Sequence, residues 1–374
     1  MAEVHGFCDE RFVAVREAFE QHFDDGADIG ASCAVYVDGE AAVDLWGGYL
    51  DEDRTAPWSA ETIVNVWSIT KTMTALCALM LADAGELDLS ARVARYWPEF
   101  AAAGKREVEV RHLMGHTSGL AGWTAPMTVE DLYDWEKATG LLAAQEPWWA
   151  PGSASGYHAL TQGYLVGELV RRVTGQSVGR FFAEQVAGPL DADFFIGTPE
   201  SADSRVAPVV APERLARISK DDAPLASRTF LNPLLPAETS RSTAWRRAEI
   251  PAANGHGNAR SVAGVHSVLA SGGEARGVRL LSTRGCERVF EEQSDGKDLV
   301  LGVPLRFGMG FGLAGELFSG GPRTCFWGGW GGSIVMADLD ARVCMAYVMN
   351  KMGSGIVGDP RGASLVQALR SALA

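Results

Sequence analysis

Long apolar runs are missing: nowhere in the 374-residue sequence do about 18 uncharged apolar residues follow one another, the length needed to span a bilayer. The stretch from Met1 to Arg11 likewise lacks the basic region and apolar core of a secretory signal, so a cytoplasmic protein with no membrane partner is expected. Cysteine is sparse, with six residues and no C-x-x-C pair. That spacing suggests neither a disulfide framework nor a cysteine-ligated zinc site, and Cys33, Cys77 and Cys344, set in apolar runs, read as small core side chains. Positive charge is short as well, since 33 Lys and Arg face 47 Asp and Glu for a net charge of -14. A polyanion would meet repulsion, and no dense Lys/Arg stripe offers an exception, which excludes nucleic-acid binding.

What remains is an ordinary globular composition, 47% hydrophobic and 21% charged, so the chain should fold throughout. Residues 9 to 23 carry apolar positions at helical spacing, and the runs Ala31 to Val37 and Ala41 to Tyr49 flank Asp38-Gly39, a dipeptide suited to a tight hairpin. Helical patterns follow over 68 to 84, 160 to 173 and 178 to 187. Residues 199 to 254, rich in Pro, Arg, Ser and Asp, read as a long flap-like loop. Strand signals return at Arg306 to Leu313, Thr324 to Trp327, Ser333 to Asp338 and Val343 to Asn350, before a last helix near 362 to 373. The economical arrangement is an α/β (α+β) lobe built from both chain ends, residues 1–66 and 255–374, with an antiparallel sheet flanked by helices. An inserted, mainly helical lobe, residues 67–254, would leave a cleft between the two.

Ser68-Ile69-Thr70-Lys71 places a hydroxyl and an amine three residues apart at the start of an apolar helix, so one turn brings them to the same face. A serine hydroxyl needs a base to become a nucleophile, and a lysine becomes that base when desolvation lowers its pKa. Lys71 lies between Ile69 and Met73 in a chain with six lysines, and an inward-facing ammonium there would be costly without a purpose. The bare S-x-x-K pattern is weak, because 24 serines and six lysines give on the order of 0.4 chance matches. A second copy, Ser294-Asp295-Gly296-Lys297, reads as a polar turn with a solvated lysine and is rejected.

Further segments follow the first copy in order: Gly85-Glu86-Leu87-Asp88-Leu89, His112-Leu113-Met114-Gly115-His116-Thr117-Ser118-Gly119-Leu120, Pro151-Gly152 ahead of Tyr157, and Trp327-Gly328-Gly329-Trp330. In these residues the sequence resembles the serine β-lactamase-like superfamily, which includes β-lactamases and penicillin-binding proteins, and especially its family VIII carboxylesterases. The resemblance covers most of the chain and implies a β-lactamase/transpeptidase-like fold and a serine esterase with a Ser68 acyl-enzyme. It further implies Lys71 and Tyr157 as general base and acid, Tyr157 having its pKa lowered by a lysine ammonium, and an oxyanion hole from the amides of Ser68 and Trp330. Trp327, Gly328 and Gly329 would line the substrate site. The expected partner is a small-molecule ester, with no cofactor and no metal. Two departures bear on substrate: members that hydrolyse lactams usually carry Asn where Ala159 stands and Lys where Trp327 stands, so an uncharged, apolar group is favoured over a lactam carboxylate. A β-lactamase, a D-alanyl peptidase or amidase, and an acyltransferase are the alternatives on the same scaffold.

Three other signals have plainer explanations. Gly175-Gln176-Ser177-Val178-Gly179 fits a G-x-S-x-G elbow but sits between two helices, where Gly175 is a helix stop and Ser177 an N-cap. Gly310 to Gly315 lacks the phosphate-binding helix a dinucleotide fingerprint needs. His112 and His116 have zinc-like spacing without the glutamate or a third ligand, and His256 reads as a structural turn residue.

Overall fold

The computed structural model describes residues 3–212 and 224–373. Val4–Cys8 (β1) runs along one edge of the main sheet against the hairpin strands Gly30–Val37 (β2) and Glu40–Gly48 (β3). The hairpin turns where its sequence predicts, with Asp38 and Gly39 both in the left-handed region at φ 52° and 84°. β1 has too little alternation to be read beforehand, and its pairing with the free edge of β3 makes it a strand. The other half of the sheet comes from the far end of the chain: Ser294–Lys297 (β4), Pro304–Phe307 (β5), Gly312–Leu313 (β6), Thr324–Gly328 (β7), Ile334–Asp338 (β8) and Val343–Met349 (β9). All nine strands are antiparallel, in the order β1-β3-β2-β9-β8-β7-β6-β5-β4.

The two halves join at β2 and β9, where Tyr347 pairs with Cys33 and Met345 with Val35. Both strands are buried on both faces, which explains their nearly unbroken apolar runs. Val13–Asp24 (α1) and the C-terminal Pro360–Leu373 helix pack on one face, over Val35 and Met345. Ala259–Ala270 packs on the other. Beyond it lies Thr70–Asp83 (α2), buried at 12 of its 14 positions and packed against Thr161–Thr174 (α3).

Three expectations change. The run from Arg306 to Leu313 is not one strand, because the chain folds at Gly308–Gly310 against Ala75 of α2. The rejected Ser294 to Lys297 copy is the sheet's far edge strand rather than a turn, and Lys297 is exposed as expected. The 199–254 segment holds short helices at Pro224–Phe230, Ala237–Arg241 and Thr243–Arg247, each too brief to show a period in sequence. The part of that loop over 213–223 lies outside the described residues. No helix among the described residues is long and apolar enough to cross a membrane.

Three histidines are sealed into this framework. His158, His256 and His266 each place Nδ1 within 2.6–2.8 Å of a backbone carbonyl. Burial pushes them down to about 3, 4 and 4 respectively. An unfolded histidine ionises near ~6.5, so below that pH the unfolded chain binds protons that the fold refuses. Stability should therefore hold above neutrality and fall as the pH drops from about 6.5 toward 4. His266→Gln, which keeps a donor and an acceptor without titrating, is expected to make the fall of Tm shallower over that range; an unchanged slope would count against the assignment.

Candidate active site

The site starts from a strained residue. Trp67 has φ 51°, a left-handed conformation that costs a bulky side chain on the order of 1–3 kcal/mol unless its surroundings fix it. They do: its carbonyl accepts from the Thr70 amide and from Thr70 Oγ1, at 3.0 and 2.5 Å, and its indole packs on Trp245 and Trp330. Thr70 Oγ1 in turn takes the Gly255 amide at 2.8 Å, tying the turn to the 254–255 segment. This twist presents Ser68, half-buried, at the entrance of α2, and the helix returns Lys71 to it one turn later with Nζ 3.1 Å from Ser68 Oγ.

Lys71 is fully buried, and no carboxylate of the described residues lies within salt-bridge distance of it. Its remaining contacts are the carbonyls of Ala159 at 2.7 Å and Ala252 at 2.8 Å. Burial holds the amine well below the usual lysine range. In its neutral form the amine has two N–H groups and one lone pair, so with the two carbonyls taking the protons the lone pair is left for the Ser68 hydroxyl.

Tyr157 comes from the other side, its hydroxyl donating to Ser68 Oγ at 2.5 Å. The 112–120 motif is its cradle. His116 accepts the Gly156 amide on its carbonyl and the His158 amide on Nδ1, both at 3.0 Å, while Ser118 Oγ and the Leu120 amide meet His158 Nε2 at 2.8 and 3.2 Å. Ring nitrogens that accept backbone N–H groups carry lone pairs, so these histidines are neutral supports. His112 does not join them: its Nδ1 takes the Glu109 amide in a capping box. His256 is buried in a short strand, His256–Gly257, paired with Ile63–Asn65 and outside the cleft lining.

The sequence offered no signal for Asp298, which is fully buried and accepts the amides of Tyr157, Val300 and Leu301 on a single oxygen. The expectation of a lowered Tyr157 pKa is corrected here. Burial raises the phenol, and Asp298 raises it further. Tyr157 is therefore a protonated phenol at rest.

Trp327-Gly328-Gly329 ends β7 beside the nucleophile. A Cβ at Gly329 would lie 2.4 Å from the Val66 carbonyl, so only glycine allows the strand end to approach the Ser68 segment this closely. The Trp330 indole meets Trp67 at 4.9 Å. Among the described residues, the amides of Ser68 and Trp330 donate to no protein acceptor. Trp327 is buried and stacks on His116 at 5.5 Å.

Two apolar chambers meet at Tyr157. One holds Ser68, Trp67 and Ala159 and is walled by Phe230, Pro233 and Leu234 from the 224–235 region. The other runs past Trp327 and Gly328 to Leu301, Leu305 and Val357. Among the described residues, the only charged side chain lining either is Asp359, and it is paired with Arg361.

A β-lactamase family model matches residues 15–368. The chain belongs to the β-lactamase family. Esterase/beta-lactamase LipL of Mycobacterium tuberculosis is 36% identical over 374 residues, covering 95% of this chain and 84% of that protein. The crystal structure of a family VIII carboxylesterase shares 43% identity and a TM-score of 0.94, covering 99% of this chain and 100% of the other. A penicillin-binding protein homologue from Caulobacter crescentus has 38% identity and a TM-score of 0.92, over 99% and 100% of the two chains. The fold is thus the β-lactamase/penicillin-binding-protein fold that the sequence resemblance implied, and the protein is a serine hydrolase of this superfamily.

Ser177 offers a control for this β-lactamase-family site. Gly175, at φ 74°, closes α3, and Ser177 caps the next helix while donating to the Glu249 carboxylate at 2.6 Å, with no lysine or histidine bonded to it. A fluorophosphonate probe should therefore label the wild type and Ser177→Ala equally and leave Ser68→Ala unlabelled, as read by intact mass. Loss of labelling in Ser177→Ala alone would move the nucleophile.

Proposed function

We propose that the protein is a serine carboxylesterase that cleaves uncharged esters through an acyl-enzyme on Ser68. The supporting observation is the Lys71–Ser68–Tyr157 row at the junction of two apolar chambers, with an amine held below the usual lysine range on one side of the hydroxyl and a phenol on the other. Ser68 gives its proton to the Lys71 lone pair as Oγ attacks the ester carbonyl. The amides of Ser68 and Trp330, free of other acceptors, hold the oxygen as it becomes negative. The alcohol leaves with a proton from Tyr157, so the net path carries the Ser68 proton through Lys71 and Tyr157 to the leaving group. Water then gives a proton back to the same pair and releases the acid.

The chambers divide the substrate. Ser68 lines the chamber walled by Phe230 and Leu234, so the acyl group that stays on Ser68 belongs there. Tyr157 opens onto the chamber past Trp327, so the alcohol it protonates departs that way. An apolar alcohol lodged there in place of water would turn hydrolysis into acyl transfer. Among the described residues no lysine or arginine lines either chamber, so none of them offers a substrate carboxylate a partner, which favours the ester reading over the β-lactamase and peptidase readings.

The expected behaviour is turnover of short-chain aryl esters, kcat/KM rising with pH through one ionisation well below the ~10.4 of free lysine, and little or no turnover of penicillins. Measuring kcat/KM against pH for one aryl ester and one penicillin checks both. Comparable efficiency on the penicillin would defeat the substrate reading.

A further inference from the structure

The loop carrying Trp330 is held from behind by one side chain. Arg361, in the first turn of the C-terminal helix, is 7% exposed and joins four chain segments. Nε and Nη2 meet the two oxygens of Asp359 at 2.8 and 3.0 Å; Nη1 meets Asp28 Oδ1 and the Lys351 carbonyl, both at 2.8 Å; Nη2 also donates to the Gly331 carbonyl at 2.8 Å. These bonds engage all five N–H donors of a guanidinium. The Gly331 carbonyl is taken a second time by the Gly353 amide at 2.7 Å.

Gly331 follows Trp330 directly, and its carbonyl lies two peptide planes beyond the Trp330 amide, so fixing it pins the far side of the loop that carries that amide. The loop and the guanidinium are closely packed at this point. Gly332 has φ 128°, and a Cβ there would lie 2.8 Å from Arg361 Nη2. Asp28, which anchors the far side of the guanidinium, is itself buried and takes the Tyr347 hydroxyl at 2.7 Å. A buried ion cluster of this kind adds little to stability over apolar residues of the same volume, so its use lies in fixing one arrangement.

We propose that Arg361 is a positioning residue for catalysis, holding the Gly328–Ser333 loop so that the Trp330 amide stays aimed at the substrate oxygen on Ser68. This rests on the esterase reading above. Lysine at 361 keeps the charge but has three donors and no planar fork, so it cannot hold Asp28, Asp359 and Gly331 together.

The test compares wild type, Arg361→Lys and Asp359→Asn on one aryl ester, with folding checked by thermal melting, and measures the affinity of an aryl boronic acid that forms a tetrahedral adduct on Ser68. Arg361→Lys should lose kcat by roughly 10- to 1000-fold, on the scale of losing one oxyanion donor, with KM within about threefold. Boronate affinity should fall in step with kcat/KM, and the pH midpoint belonging to Lys71 should not move. Asp359→Asn should show a smaller loss of the same kind, and it decides the matter if Arg361→Lys does not fold. Wild-type kcat and boronate affinity in a folded variant, or a kcat loss with boronate affinity retained, would overturn the proposal. Absence of Ser68-dependent turnover in the wild type would instead overturn the esterase reading.

Discussion

The site depends on a lysine amine buried with no counter-charge among the described residues. Taking an ammonium out of water costs several kcal/mol even in a real protein interior. Against that, Lys71 has two carbonyl acceptors, each on the order of 1.5–3 kcal/mol for a charged donor, and the face of Tyr157, whose ring centre lies 4.9 Å from Nζ. Desolvation outweighs these contacts and holds the amine well below the usual lysine range, which is what the proposed general base requires. A carboxylate at salt-bridge distance would have fixed the charge and removed the base.

The rest of the fold serves this balance. Backbone carbonyls can hold Lys71 only if the segments around Ala159 and Ala252 are placed to within a few tenths of an ångström, and each is tied elsewhere. Ala159 follows the Tyr157–His158 pair, which the 112–120 motif holds from one side and Asp298 from the other. Next to Ala252, the Pro251 carbonyl accepts from Thr74 one turn along α2. The sheet adds the third piece, since strands from both chain ends must pair at β2 and β9 before Gly329 can rest against Val66.

Local chemistry was legible in the sequence and long-range chemistry was not. Ser68 and Lys71 stand out because three residues on an apolar helix make a pair, and Ser177 could be set aside because Gly175 and Ser177 are a helix stop and a cap by residue type. Tyr157 has no pattern of its own, and only the resemblance drew attention to it. Lys71's acceptors are main-chain atoms, so no residue type at 159 or 252 announces them. Asp298 lies 141 positions from the amide it holds, and Arg361 sits in a helix whose pattern reads as amphipathic and nothing more. The Tyr157 ionisation was misread for a related reason: a lysine ammonium was taken to decide it, whereas burial of the phenol, which the sequence does not report, raises it.

The most direct test is the titration of Lys71 itself, followed by NMR on protein with isotope-labelled lysine. The chain has six lysines, so the spectrum is simple, and comparison with Lys71→Met assigns the resonance. Lys105, also desolvated and pushed down to about 8, supplies an internal reference for a shifted but catalytically idle amine. The account predicts that the Lys71 signal reports a neutral amine across the pH range where the enzyme is active, with its midpoint matching that of kcat/KM. A Lys71 that remains an ammonium throughout that range would contradict it.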